Sequence, residues 1–168
     1  MEIKEKTFSV ASPAHLNLIN IGGSVEIRPG ADWEIHVTAT KNANTGDTQR
    51  TEIEFSQEMD GTVKVATRFP EGAWSWLFGS LPCRVDYVVK APRKCCLKIN
   101  AVSSEILAEE FDSKFSFQAE LHAITGNLST KLPATSISQQ NGNQTIEVQG
   151  GGVRVTLQSV SGNLSLAS

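Results

Sequence analysis

Apolar and polar residues alternate along most of this chain, and this period of two restricts the possible folds more than any other feature. The stretch "SVEIRPG" places Val25 and Ile27 on one side and Glu26 and Arg28 on the other. Such alternation puts one row of side chains in a core and the other in water, as in a half-buried β-strand. Clusters of Gly, Asn, Asp and Pro separate the alternating runs. The chain is therefore predicted to be all-β.

Further strands are predicted wherever the alternation recurs, and no long stretch has the period of a helix. The stretch "SSEILAEEFDSKF" could hold a helical turn but fits a strand at least as well. The residues expected to face inward are Ile35, Val37, Ile53, Phe55, Val63, Val65, Thr67, Phe115, Phe117, Ala119, Leu121, Ile146, Val148, Val153, Val155 and Leu157.

A short phrase recurs in the second half of the chain. It runs from Ala101 to Ile106, from Ala123 to Leu128 and from Ser159 to Leu164. Each copy has a small residue, a β-branched residue, a hydroxyl residue, Gly or Ser, a polar residue and an aliphatic residue. The stretches "INIGGSV" and "QQNGNQTI" fit the same slots, the latter with polar substitutions.

Copies spaced by about 20 residues are typical of the stacked turns of a β-solenoid. Glycine or a small residue is expected at each corner because the backbone torsion there is unusual. The predicted corner residues are Gly23, Ser104, Gly126, Gly142 and Gly162, with Asn127 and Asn163 beside them. The flanking residues Val102, Ile106, Ile124, Leu128, Val160 and Leu164 are expected to be buried.

The 168 residues suit a single domain. Residues 1–90 are predicted to form antiparallel hairpins. Residues 91–168 form the repeat part, predicted to be a short β-solenoid or two-layer β structure. Because the last copy of the phrase ends the chain, we expect a free strand edge there or at the N-terminal edge, and hence a homo-oligomer.

Charge and hydropathy exclude some classes of function. The formal net charge is -3 and no Lys/Arg cluster occurs, so no nucleic-acid partner is predicted. No apolar run reaches the roughly 18 residues of a transmembrane helix, and "MEIKEKTFSV" lacks the apolar region of a secretory signal. The chain as given is therefore expected to be cytoplasmic, or extracytoplasmic if a signal segment was removed.

The candidate chemical groups form no recognisable site. The chain has an odd number of cysteines, and two of them are adjacent; they are Cys83, Cys95 and Cys96. This pattern is neither that of a disulfide framework nor the spacing of a zinc site. We expect small buried thiols. The histidines are not paired at metal-binding spacing, so no metal is predicted; they are His15, His36 and His122.

Catalytic motifs are also missing from the sequence. A solenoid enzyme acting on acidic polysaccharide would cluster Asp, Arg and Lys on one sheet. The candidates have no site-like spacing; they are Asp112, Lys114, Lys131 and Arg154. The run from Gly150 to Gly152 precedes a strand, not a helix, so it is expected to be a turn or bulge. No catalytic residue and no cofactor is predicted.

An apolar loop interrupts the alternation between two predicted strands. It contains Trp74, Trp76, Leu77 and Phe78 and is bracketed by Gly and Pro. Two interpretations stay open: a cap over the core, or an exposed anchor for a partner chain or membrane surface. No Lys or Arg occurs from 69 to 82, which makes binding to anionic lipid the less favoured anchor.

The order of these elements resembles a bacterial family of unknown function called putative adhesins. The resemblance rests on "GGSVEIRPGADWEIHVTAT", on "RVDYVVKAP" and on the repeats "AITGNL" and "SVSGNL". Ser104 in place of the usual Gly and the apolar insertion "FPEGAWSWLFGSLPC" depart from the pattern. The resemblance implies a β-solenoid-like or layered β fold and supplies no catalytic residue.

The predicted function is a non-enzymatic interaction or scaffold module, adhesin-like and self-associating, with a protein or cell-surface partner. The alternative is a carbohydrate-binding or carbohydrate-active β-helix protein. A polar groove with clustered carboxylates and aromatic residues would favour the alternative, whereas a flat sheet face would favour the scaffold.

Overall fold

A computed structural model describes residues 2–69, 81–108, 117–125, 128–130, 136–140, 143–148, 153–161 and 164–166. Side chains are described for residues 2–69, 81–102 and 105–107. Apart from a 3-10 turn at Ala43–Thr45, the regular elements described are all strands. They are β1 Glu2–Ser9, β2 Ala14–Pro29, β3 Glu34–Asn42, β4 Glu52–Gln57, β5 Val63–Arg68, β6 Arg84–Ala91, β7 Cys95–Ala108, β8 Phe117–Thr125, β9 Leu128–Thr130, β10 Ser136–Gln140, β11 Asn143–Val148, β12 Val153–Ser161 and β13 Leu164–Leu166. The predicted all-β class is confirmed.

The strands form one mixed sheet in the order β1-β3-β6-β2-β7-β12-β8-β11-β10. Strand β5 adds to the first part of β2, and β4 adds to β5. Strand β13 lies between β7 and β9. Both predicted parts of the chain contribute to this sheet, while the assignment of a single domain stays a prediction.

The hairpin prediction for the first half is correct only in part. Strands β4 and β5 form the hairpin predicted at "EMDG". Strands β2 and β3, however, are not neighbours, because β6 lies between them. Val89 of β6 pairs with Ile27 on one side and Val37 on the other. The apolar run of β6 is best buried at the centre of a sheet, so it separates the strands that "RPGAD" joins.

Alternation predicts the core well in the first half. Val25, Ile27, Ile35 and Val37 are buried as expected, and Phe55 is half-buried against the core. The other residues predicted to face inward in this half are also buried; they are Ile53, Val63, Val65 and Thr67. The core further includes Val85, Tyr87 and Val89 of β6.

The predicted burial of Val102 is wrong. Its side chain is 50% exposed, whereas Ala101 and Ile106 are buried. The inward-facing residues of β7 are therefore odd-numbered up to Ala101, whereas Ile106 is even-numbered. The alternation of inward and outward side chains shifts by one residue at the corner between Ala101 and Ile106. A strand turns every second side chain to one face, and only a corner can shift that row by one.

The order of the repeat copies differs from that of a simple solenoid, in which consecutive copies would be neighbours. The last copy, in β12, lies between β7 and β8, which carry the two earlier copies. The predicted free C-terminal edge is therefore wrong, since β12 and β13 both have strands on each side. Strand β1 does lie at an edge of the described sheet. The described residues include no helix long and apolar enough to cross a membrane.

Candidate interaction surface

The repeated phrases meet across the sheet in the register of their sequence alignment. Gly23 pairs with Ser104 in the parallel ladder of β2 and β7. Ser161 pairs with Ser103 and with Thr125, on either side of β12. Leu164 in turn pairs with Ile106 and Leu128. Equivalent slots of these copies therefore form rows that cross β2, β7, β12–β13 and β8–β9.

The remaining predicted corners, Gly126, Gly142 and Gly162, lie outside the described residues. Around the phrase "QQNGNQTI" the pairing differs from that of the other copies. Gln140 and Asn143 are antiparallel partners in the β10–β11 pair. The strands that flank this phrase are therefore not in the parallel stack.

The corner at Gly23 is tightly enclosed. Its φ is 119°, and a Cβ atom there would lie 2.2 Å from the carbonyl oxygen of Val85. The next residue, Ser24, donates its backbone N–H and its hydroxyl to Oδ1 of Asp86, each at 2.8 Å. This corner is where β2 leaves β5 and begins to pair with β6. Its residues have a structural role in the fold.

Beneath the corner lies a buried polar chain. Thr67 donates its hydroxyl to Oδ1 of Asn20 at 3.1 Å, and Nδ2 of Asn20 donates to the carbonyl of Val85 at 3.0 Å. The hydroxyl of Tyr87 is 2.7 Å from that of Thr67. Burial raises the pKa of Tyr87 to about 12. In the sequence, this set of buried hydrogen bonds is indicated by Asn20, a polar residue at a position where the alternation predicts an inward side chain.

The outer face carries a groove of about 150 Å³ beside β2. Asn17 and Ile19 of β2 pair with Lys64 and Ala66 of β5, so alternate residues of both strands face outward together. Ala66 pairs in turn with Glu54 of β4. The lining residues are Asn17, Ile19, Glu54, Ser56, Lys64, Val65, Ala66 and Arg68.

Charges around the groove are paired. Nε of Arg68 donates to Oε2 of Glu54 at 2.6 Å, and this bond raises the pKa of Arg68. Nζ of Lys64 lies 2.6 Å from Oε1 of Glu58. Groove charges that are already compensated offer little attraction for a highly charged ligand.

One acceptor in this region has no donor among the described residues. Oδ1 of Asn17 is buried and makes no hydrogen bond to any residue that the structure describes. Buried polar atoms are nearly always paired, and leaving one unpaired costs about 1–3 kcal/mol. Asn17 also lines the groove, so a ligand in the groove would lie close to this acceptor.

Two large apolar side chains are exposed next to the groove. Ile19 is 41% exposed on β2 and Val102 is 50% exposed on β7. Ile19 pairs with Asn100, two residues before Val102, so the two side chains are diagonal neighbours on one face. Ile19 was not predicted from the sequence. In "HLNLIN" the outward positions are His15, Asn17 and Ile19, so an apolar residue at the third of them was the available signal.

The other predicted groups are scattered. His15 is exposed, and Nδ1 of half-buried His36 lies 2.8 Å from the hydroxyl of Thr7. The His122 side chain and the Arg154 side chain are outside the described set, as are residues Asp112, Lys114 and Lys131 and the loop residues Trp74, Trp76, Leu77 and Phe78. Across the described residues, no group of three His, Cys, Asp or Glu side chains could hold a metal ion.

The cysteines lie in different environments. Cys83 and Cys95 are buried and Cys96 is half-buried, all as free thiols. Burial and the neighbouring Cys96 raise the pKa of Cys95 to about 12. A thiol with this pKa stays protonated and is a poor nucleophile near neutral pH.

No family model matches the chain, and no curated protein matches it. Among solved structures, it is similar to a putative cell adhesion protein from Clostridium sporogenes, with 12% identity, a TM-score of 0.48 and 99% of each chain covered. It is also similar to a putative lipid binding protein from Parabacteroides distasonis, with 9% identity, a TM-score of 0.36 and coverage of 77% of this chain and 43% of that one. A putative adhesin from Parabacteroides merdae has 12% identity and a TM-score of 0.33, covering 64% of this chain and 38% of that one. Proteins named as adhesins are thus among its structural neighbours, and the chain spans less than half the length of the last two proteins.

Proposed function

We propose that this chain is a non-enzymatic, adhesin-like binding module that docks a polypeptide partner on the outer face of β5, β2 and β7. The observation that carries the proposal is the adjacency of Ile19 and Val102, both exposed on that face beside the groove. Single exposed apolar residues are ordinary, but two that adjoin a groove form the beginning of an interface core.

The chemistry of the partner follows from this surface. Burying a side chain such as that of Ile19 or Val102 is worth roughly 1.5–3 kcal/mol, which an apolar residue of the partner would supply. The Asn17 side chain lines the groove, and its carboxamide can exchange hydrogen bonds with a backbone or side-chain amide of the partner. The ion pairs at Glu54 and Glu58 form a polar rim, as at other protein interfaces.

The face combines one exposed apolar side chain on each of two adjacent strands, Ile19 on β2 and Val102 on β7, with a polar groove that contains a single carboxylate, that of Glu54. The groove lining contains no aromatic side chain, the usual platform for a sugar ring. A polypeptide therefore fits the apolar pair of Ile19 and Val102 better than a polysaccharide does.

The test is the double substitution Ile19→Lys and Val102→Lys, with Ile3→Lys as the matched control. Ile3 is 56% exposed on β1, away from the groove. The parent and the control should retain a protein from cell extract that the double variant loses. The purified partner should then bind the parent and the control in calorimetry, with binding to the double variant at least about tenfold weaker. Equal binding by all three would overturn the proposal.

A carbohydrate ligand is the second candidate, because the side chains of Asn17, Ser56 and Glu54 can bond hydroxyl groups. It predicts binding on a glycan array that is lost in Asn17→Ala. That binding should be unaffected by Val102→Lys, since Val102 is not part of the groove lining. An array without binding to the parent contradicts this second candidate.

A further inference from the structure

The sheet has two end strands along its main path, and their sequences differ in charge. At one end is β1, with β10 at the other. Strand β1 reads "EIKEKTFS" and carries four charged residues. Strand β10 reads "SISQQ" and carries none. Charged residues on an end strand are a common protection against pairing with another chain, and β10 lacks it.

Strand β1 also has a contact on its outer side. Nε2 of Gln57, in β4, donates to the carbonyl of Ser9 at 2.8 Å. This bond brings the edge of β4 next to the edge of β1 and occupies part of it. Among the described strands, β10 pairs with β11 alone.

Strand β10 has the backbone groups needed to pair with a further strand. In an antiparallel pair, every second residue directs its N–H and C=O groups away from its partner. All five residues of β10 pair with β11, from Ser136 to Gln140, so the alternate residues direct their backbone groups to the other side, where none of the described strands pairs with them. No charged residue occurs between Lys131 and Glu147, which leaves this edge electrically neutral.

We infer that β10 is a self-association edge, at which two copies of the chain pair β10 against β10 in antiparallel orientation. A twofold axis places the strand opposite itself, so a neutral strand meets no like charge, whereas a charged one would. A second copy also supplies the N–H and C=O groups with which the outward backbone groups of β10 can form hydrogen bonds. The sheet then continues from one copy into the next without a break.

This interface is separate from the proposed docking face. Strands β12, β8 and β11 lie between β10 and β7, the nearest strand of the docking face, a separation of about 19 Å along the sheet at the usual strand spacing. Self-association and partner docking can therefore fail independently in experiment.

The test is sedimentation of the full chain over a range of concentrations, for the parent and four variants. The parent should form a dimer or a larger assembly. Ser138→Lys and Gln139→Lys should each weaken assembly at least about tenfold, because each sets like charges near one another across the axis. Ser138→Gln, which adds bulk without charge, and Ile3→Lys on β1 should leave it unchanged.

Hydrogen exchange of the parent gives a second measurement that needs no variant. Backbone amides in residues 136–140 should exchange more slowly at high than at low protein concentration, while those in residues 2–9 should not change. A monomeric parent with concentration-independent exchange would overturn the inference. So would assembly that survives both lysine substitutions and is lost in Ile3→Lys.

Discussion

The hydroxyl of Tyr87 donates a hydrogen bond to the hydroxyl of Thr67, 2.7 Å away in the buried centre of the sheet. The direction follows from the neighbouring bond, because Thr67 uses its own proton to donate to Oδ1 of Asn20. Tyr87 must therefore keep its proton for the chain of bonds to persist. The same chain ties β5 and β6 to the corner of β2.

Alkaline pH should unfold the protein by ionising Tyr87. Its pKa is about 12 in the folded state, against about 10 in an unfolded chain. The folded state thus binds the Tyr87 proton more tightly, so the contribution of Tyr87 to stability is constant below pH 10 and is lost as the pH rises from about 10 towards 12. The chain has one tyrosine, so tyrosinate absorbance reports on Tyr87 alone. In the native state, its midpoint should lie near pH 12 or coincide with alkaline unfolding. In urea, the midpoint should lie near pH 10. A native midpoint near pH 10 would contradict the buried bond.

Gly23→Ala should be strongly destabilising. A Cβ atom would lie 2.2 Å from the carbonyl oxygen of Val85, and φ is 119°. The expected loss of unfolding free energy is at least about 2 kcal/mol. Gly61→Ala is the control: φ is 85° but nothing lies within 4 Å of the new Cβ, so only the backbone cost of about 1–2 kcal/mol applies. Urea unfolding of both variants checks this, and equal losses would argue against crowding at the corner.

Ile106→Ala and Val102→Ala should differ clearly, although both residues belong to one copy of the repeated phrase. Ile106 is 1% exposed, so its truncation should cost about 2–5 kcal/mol. Val102 is 50% exposed, and its truncation should change stability by less than about 0.5 kcal/mol. Leu128 pairs with Leu164, which pairs with Ile106 in the same slot, so Leu128→Ala is expected to resemble Ile106→Ala. A thermal melt of Leu128→Ala identical to that of the parent would reject the slot assignment.

The three thiols should react at different rates. At pH 8, a thiol-specific disulfide reagent should modify half-buried Cys96 first, because Cys83 and Cys95 are buried and the pKa of Cys95 is about 12. In denaturant, all three should react at similar rates. Cys96→Ser should remove the fast phase, and a fast phase that persists in this variant would show that a buried thiol is accessible.

The loop with Trp74 and Trp76 is expected to bury its apolar side chains on its own chain or on a second copy. The double substitution Trp74→Ala and Trp76→Ala should then lower the melting temperature by more than about 5 °C, or yield smaller oligomers. Trp33→Ala is the control, since Trp33 is 70% exposed and should contribute little. If stability and assembly are unchanged while the parent binds liposomes, the loop is a membrane anchor.

The all-β class and much of the core followed from alternation, because a strand can bury only every second side chain. Ile35 and Val37 are buried for that reason alone. The repeated phrase also indicated which residues share a row, as the pairing of Leu164 with Ile106 and Leu128 shows. These features depend on neighbours in the chain and on the pleat of a strand, so they can be predicted before the structure is known.

Strand order and surface depended on contacts between distant segments. No local pattern places β6 between β2 and β3, or β12 between β7 and β8, because neighbour choice rests on how whole apolar rows pack together. The same packing turned Val102 outward beside Ile19, buried Oδ1 of Asn17 without a donor among the described residues, and buried Asn20 against Thr67. Alternation assigns a residue to a face, whereas only the assembled sheet decides which strand lies beside it and therefore which polar atoms are paired.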